Sequence, residues 1–157
     1  MWPCFLIWGF DRGCRWLRYI ILSNFQSPNK SPAEIEVLNQ DTVRVTVKRY
    51  VPFGWSAGQH MFLAFPTLGP VESHPFTIAN LPEGDEKSKK LVWIIRARDG
   101  FTKRLKDYAL AKNGMATAPV FMDGPYGAPQ DITPYSTCVF IAGASFLAVG
   151  VPRLLII

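Results

Sequence analysis

Val43, Val45 and Val47 alternate with Arg44, Thr46 and Lys48, the period-two pattern of a strand with one buried and one wet face. Residues 33–38 form its predicted partner, joined through the turn-prone Asn39-Gln40-Asp41. Pro52-Phe53-Gly54 makes the next turn, 61–65 is a further apolar strand, and 73–79 follows the Gly69-Pro70 turn. In that last stretch Pro75 excludes helix while Phe76 and Ile78 favour strand, so these two are expected to pack inward and His74 and Thr77 to meet a polar ligand. A polar loop over 83–90 precedes strands at 91–98 and 115–122. One helix interrupts the strands: Asp99-Gly100 turns the chain, Thr102 is placed to cap residues 103–112, and Phe101, Leu105, Tyr108 and Ala109 give the apolar stripe. Short strands with regular turn signals predict a closed antiparallel barrel. After it, 137–142 reads as a buried strand ending in Gly143-Ala144-Ser145 and a helix, the way nucleotide-binding units start.

The first 26 residues follow another pattern, apolar through Phe10 and then basic with Arg12, Arg15 and Arg18. Ten apolar residues are too few to span a bilayer, which needs about 20. Neither a positive leader region nor a small-residue cleavage site marks a signal peptide. Apolar-then-basic is the order at the cytoplasmic end of a transmembrane helix, and a basic amphipathic helix packed on the barrel is the alternative. Residues 23–32 read as a linker.

Composition narrows the classes. A chain of 157 residues, 48% hydrophobic and 18% charged, is globular and holds one domain with a small appendage. A net charge of +5 and a pI near 9.3 admit nucleic acid, an anionic cofactor or an acidic membrane, but no nucleic-acid-binding motif is present. Cys4, Cys14 and Cys138 lack disulfide or zinc spacing, and His60 and His74 have no third ligand spaced to join them. No metal site is therefore expected.

The helix start after Asp99-Gly100 gathers free N–H groups at a positive dipole end, and Arg96 just before it adds a cation, which together suit a phosphate. His74-Pro75-Phe76-Thr77, preceded by Gly58-Gln59-His60 and Phe65-Pro66 and followed by Arg96, Gly100-Phe101-Thr102 and Asp123-Gly124-Pro125-Tyr126-Gly127, resembles the flavin domain of ferric-chelate reductases and the related NADPH oxidases. The motifs occur in that family's order over residues 8–152. The resemblance implies a mainly β fold: a six-stranded antiparallel Greek-key barrel of the ferredoxin-reductase type at 27–130, with one phosphate-side helix. A basic juxtamembrane helix and linker at 1–26 precede it, and the truncated start of an α/β NADPH-binding domain at 131–157 follows.

It further implies FAD held by His74, Pro75, Phe76, Thr77, Ile78, Arg96 and Thr102, and NADPH met by Gly124, Pro125, Tyr126, Gly127 and Gly143. In the intact family NADPH passes a hydride to FAD, which hands single electrons to haem and so to ferric iron. The haem histidines lie on transmembrane helices, so haem is expected to be absent from this chain. No residue is required as acid, base or nucleophile. The expected setting is the cytoplasmic face of a membrane, with a haem-bearing transmembrane part as partner and no nucleic acid. Pro152 matches the family's pattern, while Ala144 and Phe146 stand where it has glycines, so efficient use of NADPH by this chain is not expected. An oxygen-reducing NADPH oxidase, and a truncated flavin-binding or interaction module, remain as alternatives.

Overall fold

The computed structural model describes residues 2–26, 31–51, 53–69, 72–85 and 88–128. In chain order its elements are α1 (Trp2–Gln26), β1 (Ala33–Asn39), β2 (Thr42–Arg49), β3 (His60–Ala64), β4 (His74–Thr77), β5 (Glu83–Asp85), β6 (Ser88–Arg96), α2 (Gly100–Leu110), β7 (Met115–Ala118) and β8 (Phe121–Tyr126). The expected strand and helix at 131–157, with Gly143, lie outside the described residues, as do Pro52, Pro70 and residues 27–30.

The chain is mainly β, and every ladder is antiparallel. Where one closed barrel was expected, the ladders form two sheets, ordered β5-β6-β2-β1-β7 and β4-β3-β8. The physical reason lies at the two places where they meet. On one side the chain passes from β7 to β8 through Pro119, which has no N–H to offer a ladder. On the other, β4 reaches β6 through a single main-chain bond beyond its end, Ala79 N–H to Val92 O at 2.8 Å.

The side chain of Asn80 completes that second seam. Its Nδ2 donates to the carbonyls of Leu81 and Lys90, both at 2.8 Å, and its Oδ1 accepts the Val92 N–H at 2.9 Å. The Asn80 carbonyl in turn accepts from Trp55 Nε1 at 2.6 Å.

Alternation supplies the core. Val43, Val45 and Val47 of β2 face Ile95, Trp93 and Leu91 of β6 across the ladder, and Ile35 of β1 lies opposite Val45. All are buried, together with Met61, Leu63 and Met122 of the smaller sheet. Helix α2 adds Phe101, Leu105 and Ala109, its i, i+4, i+8 stripe. Arg49 is the one charged residue buried among the described residues. Its Nη2 donates to Ser31 O at 2.9 Å and Val120 O at 3.3 Å, fastening the ends of β2 and the β7–β8 link, and burial lowers its pKa from the ordinary value.

Three expectations change. Within the expected loop 83–90, residues 83–85 and 88–90 are strand: β5 pairs with β6, Glu83 opposite Lys90 and Asp85 opposite Ser88. Polar composition concealed this strand because it forms the sheet's outer edge. Residues 23–26, expected as the start of a linker, are instead the last residues of α1. Helix α2 starts at Gly100 with Asp99 at the N-cap, extended at φ −132° and ψ 172° and making no side-chain cap bond. Thr102 therefore stands inside the first turn, where its hydroxyl donates to Asp99 O (3.0 Å) and accepts the Arg98 N–H (3.2 Å).

Replacing Asn80 with Ala deletes three hydrogen bonds and strands the Val92 N–H at the seam. Urea unfolding is expected to show a loss of about 1–3 kcal/mol, and a midpoint unchanged from wild type would refute the role assigned to this side chain.

Candidate functional site

His74 to Thr77 form β4, the edge strand of the smaller sheet. Its register fixes which side chains go where. His74 and Phe76 stand opposite Leu63 and Met61, whereas Pro75 and Thr77 stand opposite Phe62 and His60. Because side chains alternate, His74 and Phe76 share the face that turns toward the core, and Thr77 is on the other. His74 and Thr77, both expected to meet a polar ligand, therefore stand on opposite faces, and His74 shares the face of Phe76. Ile78, just past the strand, is buried, and its N–H donates to Gln59 O at 2.9 Å. Only its backbone can meet a ligand.

On the first face, α2 closes against the strand. The His74 ring stacks on Phe101 with centroids 4.5 Å apart and planes 25° from parallel, and Phe76 and Phe65 lie 6.4 and 6.0 Å from the same ring. The strand motif and the Gly100-Phe101-Thr102 turn thus meet through an aromatic cluster. Glu72, two residues before His74, ion-pairs with Arg104 of α2 and comes within 3.5 Å of His74 Nε2. Neither Glu72 nor Arg104 was expected from sequence. The spacing of Phe101 and Arg104, three apart on one helix face, is the signal that could have pointed to the second.

On the second face lie His60, Phe62 and Tyr126, whose rings are 5.8 to 6.0 Å apart. Gln59 ties this patch to the Gly124-Pro125-Tyr126-Gly127 turn by donating from Nε2 to Gly127 O at 2.8 Å, and Tyr126 Oη donates to Asp123 Oδ1 at 2.8 Å. Gly124 is at φ +140°, and a Cβ there would lie 3.1 Å from Met61 Cγ and 3.2 Å from His60 O. Arg96 stands apart from both faces, at the end of β6 opposite Thr42, exposed and without a hydrogen-bond or ion-pair partner among the described residues.

Chemically, this donor set suits an anionic ligand with a flat apolar part. The first turn of α2 contains no acidic residue and receives no side-chain cap, so its amides remain available. Gly100 opens that turn at φ +59°, a conformation glycine adopts without strain. Arg96 supplies a guanidinium with no carboxylate partner among the described residues, and the aromatic cluster supplies the apolar wall.

Comparison with known proteins points the same way. Residues 27–130 match the family described as FAD-binding domain. Over 146 residues, 90% of this chain, the sequence is 34% identical to ferric reductase transmembrane component 4 of Saccharomyces cerevisiae, covering 19% of that protein. Component 3 of the same yeast is 32% identical over 90% of this chain and 19% of its own length. Ferric reductase transmembrane component 1 of Schizosaccharomyces pombe is 28% identical over 79% of this chain and 28% of its own. The chain spans about a fifth to a third of the length of the curated relatives it matches.

Gly124→Ala combines a positive φ with a Cβ pressed on Met61 and on the His60 carbonyl, so it is expected to cost about 1–3 kcal/mol in urea unfolding. Gly54→Ala, where an added Cβ meets nothing within 4 Å, should stay within about 0.5 kcal/mol of wild type. Equal effects from the two would contradict the close approach of β8 to β3.

Proposed function

The chain belongs to the FAD-binding domain family of the ferric reductases, and from that premise we propose that it holds FAD between β4 and the start of α2. The carrying observation is the stack of His74 on Phe101, which joins the strand motif and the phosphate-side turn into one site. We read the two sheets as the halves of a six-stranded Greek-key barrel, with β7 and β8 acting as one strand bent at Pro119 and the short edge strand β5 as an addition outside the six. In this reading Phe76 and His74 give the ring a wall, Pro75 and Thr77 border it from the strand's other face, and the Ile78 backbone lies at its edge. Arg96 and the first-turn amides of α2, with Thr102 holding that turn closed, meet the diphosphate.

Bound there, FAD would supply the capacity to accept a hydride and release electrons singly. The chain's own residues bind, orient and exclude water; none moves a proton. Gly124 to Gly127, tied to Gln59, form the side from which NADPH would approach. In the full-length protein we place this domain between NADPH and a haem-bearing membrane part that reduces ferric iron. The names of the relatives, transmembrane components of ferric reductases, support that reading.

Helix α1 is the element that would meet the membrane. Trp2, Phe5, Leu6, Ile7, Trp8 and Phe10 are all more than 60% exposed, an apolar surface that water disfavours. Among the described residues no helix is long and apolar enough to cross a membrane. The arginines at 12, 15 and 18 that follow the apolar stretch are of the sign that attracts anionic lipid, and the site would face the cytoplasm.

Two measurements test this. The chain is expected to bind FAD more tightly than FMN, and Arg96→Ala to weaken FAD by about tenfold or more, as loss of a charge-assisted contact requires; equal affinity for FAD and FMN in the wild type would sink the site. Separately, the full chain should sediment with anionic lipid vesicles and release as salt rises. A chain starting at Ser27 that sediments equally well would remove α1 from membrane contact.

A further inference from the structure

We propose that Glu72 and Arg104 are positioning residues for the His74 imidazole, fixing its plane and its tautomer so that Nδ1 is the ring atom presented to the cofactor. This rests on the FAD reading above and extends it to residues outside the strand motif. Four observations carry it. Glu72 Oε2 lies 3.5 Å from His74 Nε2, and the same oxygen accepts from Arg104 Nη2. Nε2 is closed off from solvent and has no aligned hydrogen-bond partner, so the carboxylate is its polar neighbour at ion-pair distance. The imidazole lies flat on Phe101, which leaves the half-turn about Cβ–Cγ, exchanging the places of Nε2 and Cε1, as the freedom still to be controlled. Finally, Gly69 makes room for the carboxylate: a Cβ there would sit 3.1 Å from Glu72 Cδ and 3.2 Å from Oε2.

The chemistry follows from these positions. A carboxylate facing Nε2 favours the proton on that nitrogen, which leaves Nδ1 as an acceptor for a hydroxyl of the flavin's ribityl chain. Arg104 has a second effect, because it neutralises the carboxylate that would otherwise repel the diphosphate nearby. Phe101 and Arg104 sit one turn apart on α2, so a single helical turn provides both the ring that His74 stacks on and the cation that anchors its carboxylate.

The test uses the full chain with ¹⁵N-labelled histidine, first without cofactor. His74 should show the Nε2–H tautomer, with His60, the other of the two histidines, as an internal control. Glu72→Ala and Gly69→Ala should both shift the His74 tautomer balance while leaving the His60 signals in place. Glu72→Gln, which keeps an acceptor oxygen, should restore much of the wild-type pattern. FAD affinity in the Glu72→Ala protein should fall by about three- to tenfold, the range expected for one positioning hydrogen bond, with Glu72→Gln intermediate. An unchanged His74 tautomer in Glu72→Ala overturns the proposal. So does a chain in which His74→Ala weakens FAD binding and Glu72→Ala does not. A tautomer shift with FAD binding indifferent to both Glu72→Ala and His74→Ala supports the positioning of His74 and instead overturns its assignment to the flavin.

Discussion

A β-strand that ends before its neighbour's ladder begins must still satisfy the neighbour's peptide groups, and here one carboxamide does so. Asn80 offers two donors and one acceptor, and all three are used, on Leu81, Lys90 and Val92. In this way it stands in for a peptide unit that β4 does not extend far enough to provide. The smaller sheet is thereby held to the larger one while β4 itself keeps an open edge. Everything proposed about the site depends on that arrangement, since a strand fully zipped to β6 would leave no opening beside His74 and Phe76.

Alternation then divides the motif into two working surfaces. Towards α2 stand the histidine and phenylalanine, against an apolar wall backed by buried Phe65. Away from it stand Pro75 and Thr77, beside the aromatic patch of His60, Phe62 and Tyr126. Charge is distributed unequally between the parts. Glu72 is occupied by Arg104, whereas Arg96 has no counter-ion among the described residues. Exposed at the end of β6, Arg96 keeps its charge in solvent, where it is available to an incoming anion.

Much of this was legible in the sequence, for identifiable reasons. The Val-x-Val-x-Val run, the Asn39 to Asp41 turn and the Phe101, Leu105, Ala109 stripe each carry a period that only one element satisfies, and each formed as expected. The β5–β6 hairpin escaped because β5 is a three-residue strand of polar composition at the sheet's edge and the part of β6 that it pairs with, Ser88 to Lys90, is polar too. Thr102 was misplaced by a few residues because its hydroxyl serves the chain before the helix equally well. His74 was expected on the ligand side and Phe76 packed inward, but residues two apart in a strand share a face, and the register puts both towards Met61 and Leu63. Asn80 and Glu72 were invisible for a different reason: their partners are ten or more residues away, or on another element, and nothing local marks them.

Helix α1 runs unbroken over 25 residues and approaches the sheets at β8. An α-helix of that length spans nearly 40 Å and turns by about 100° with each residue, so it transmits orientation as well as distance. A membrane holding its apolar end, as proposed, would set the azimuth of the strands that α1 leads into. A single inserted or deleted residue would keep every contact within the β domain and yet swing that domain by more than a quarter of a revolution about the helix axis. With its apolar end held as proposed, the helix would work as a phase-setting shaft, and its length would be under a constraint separate from the composition of either end.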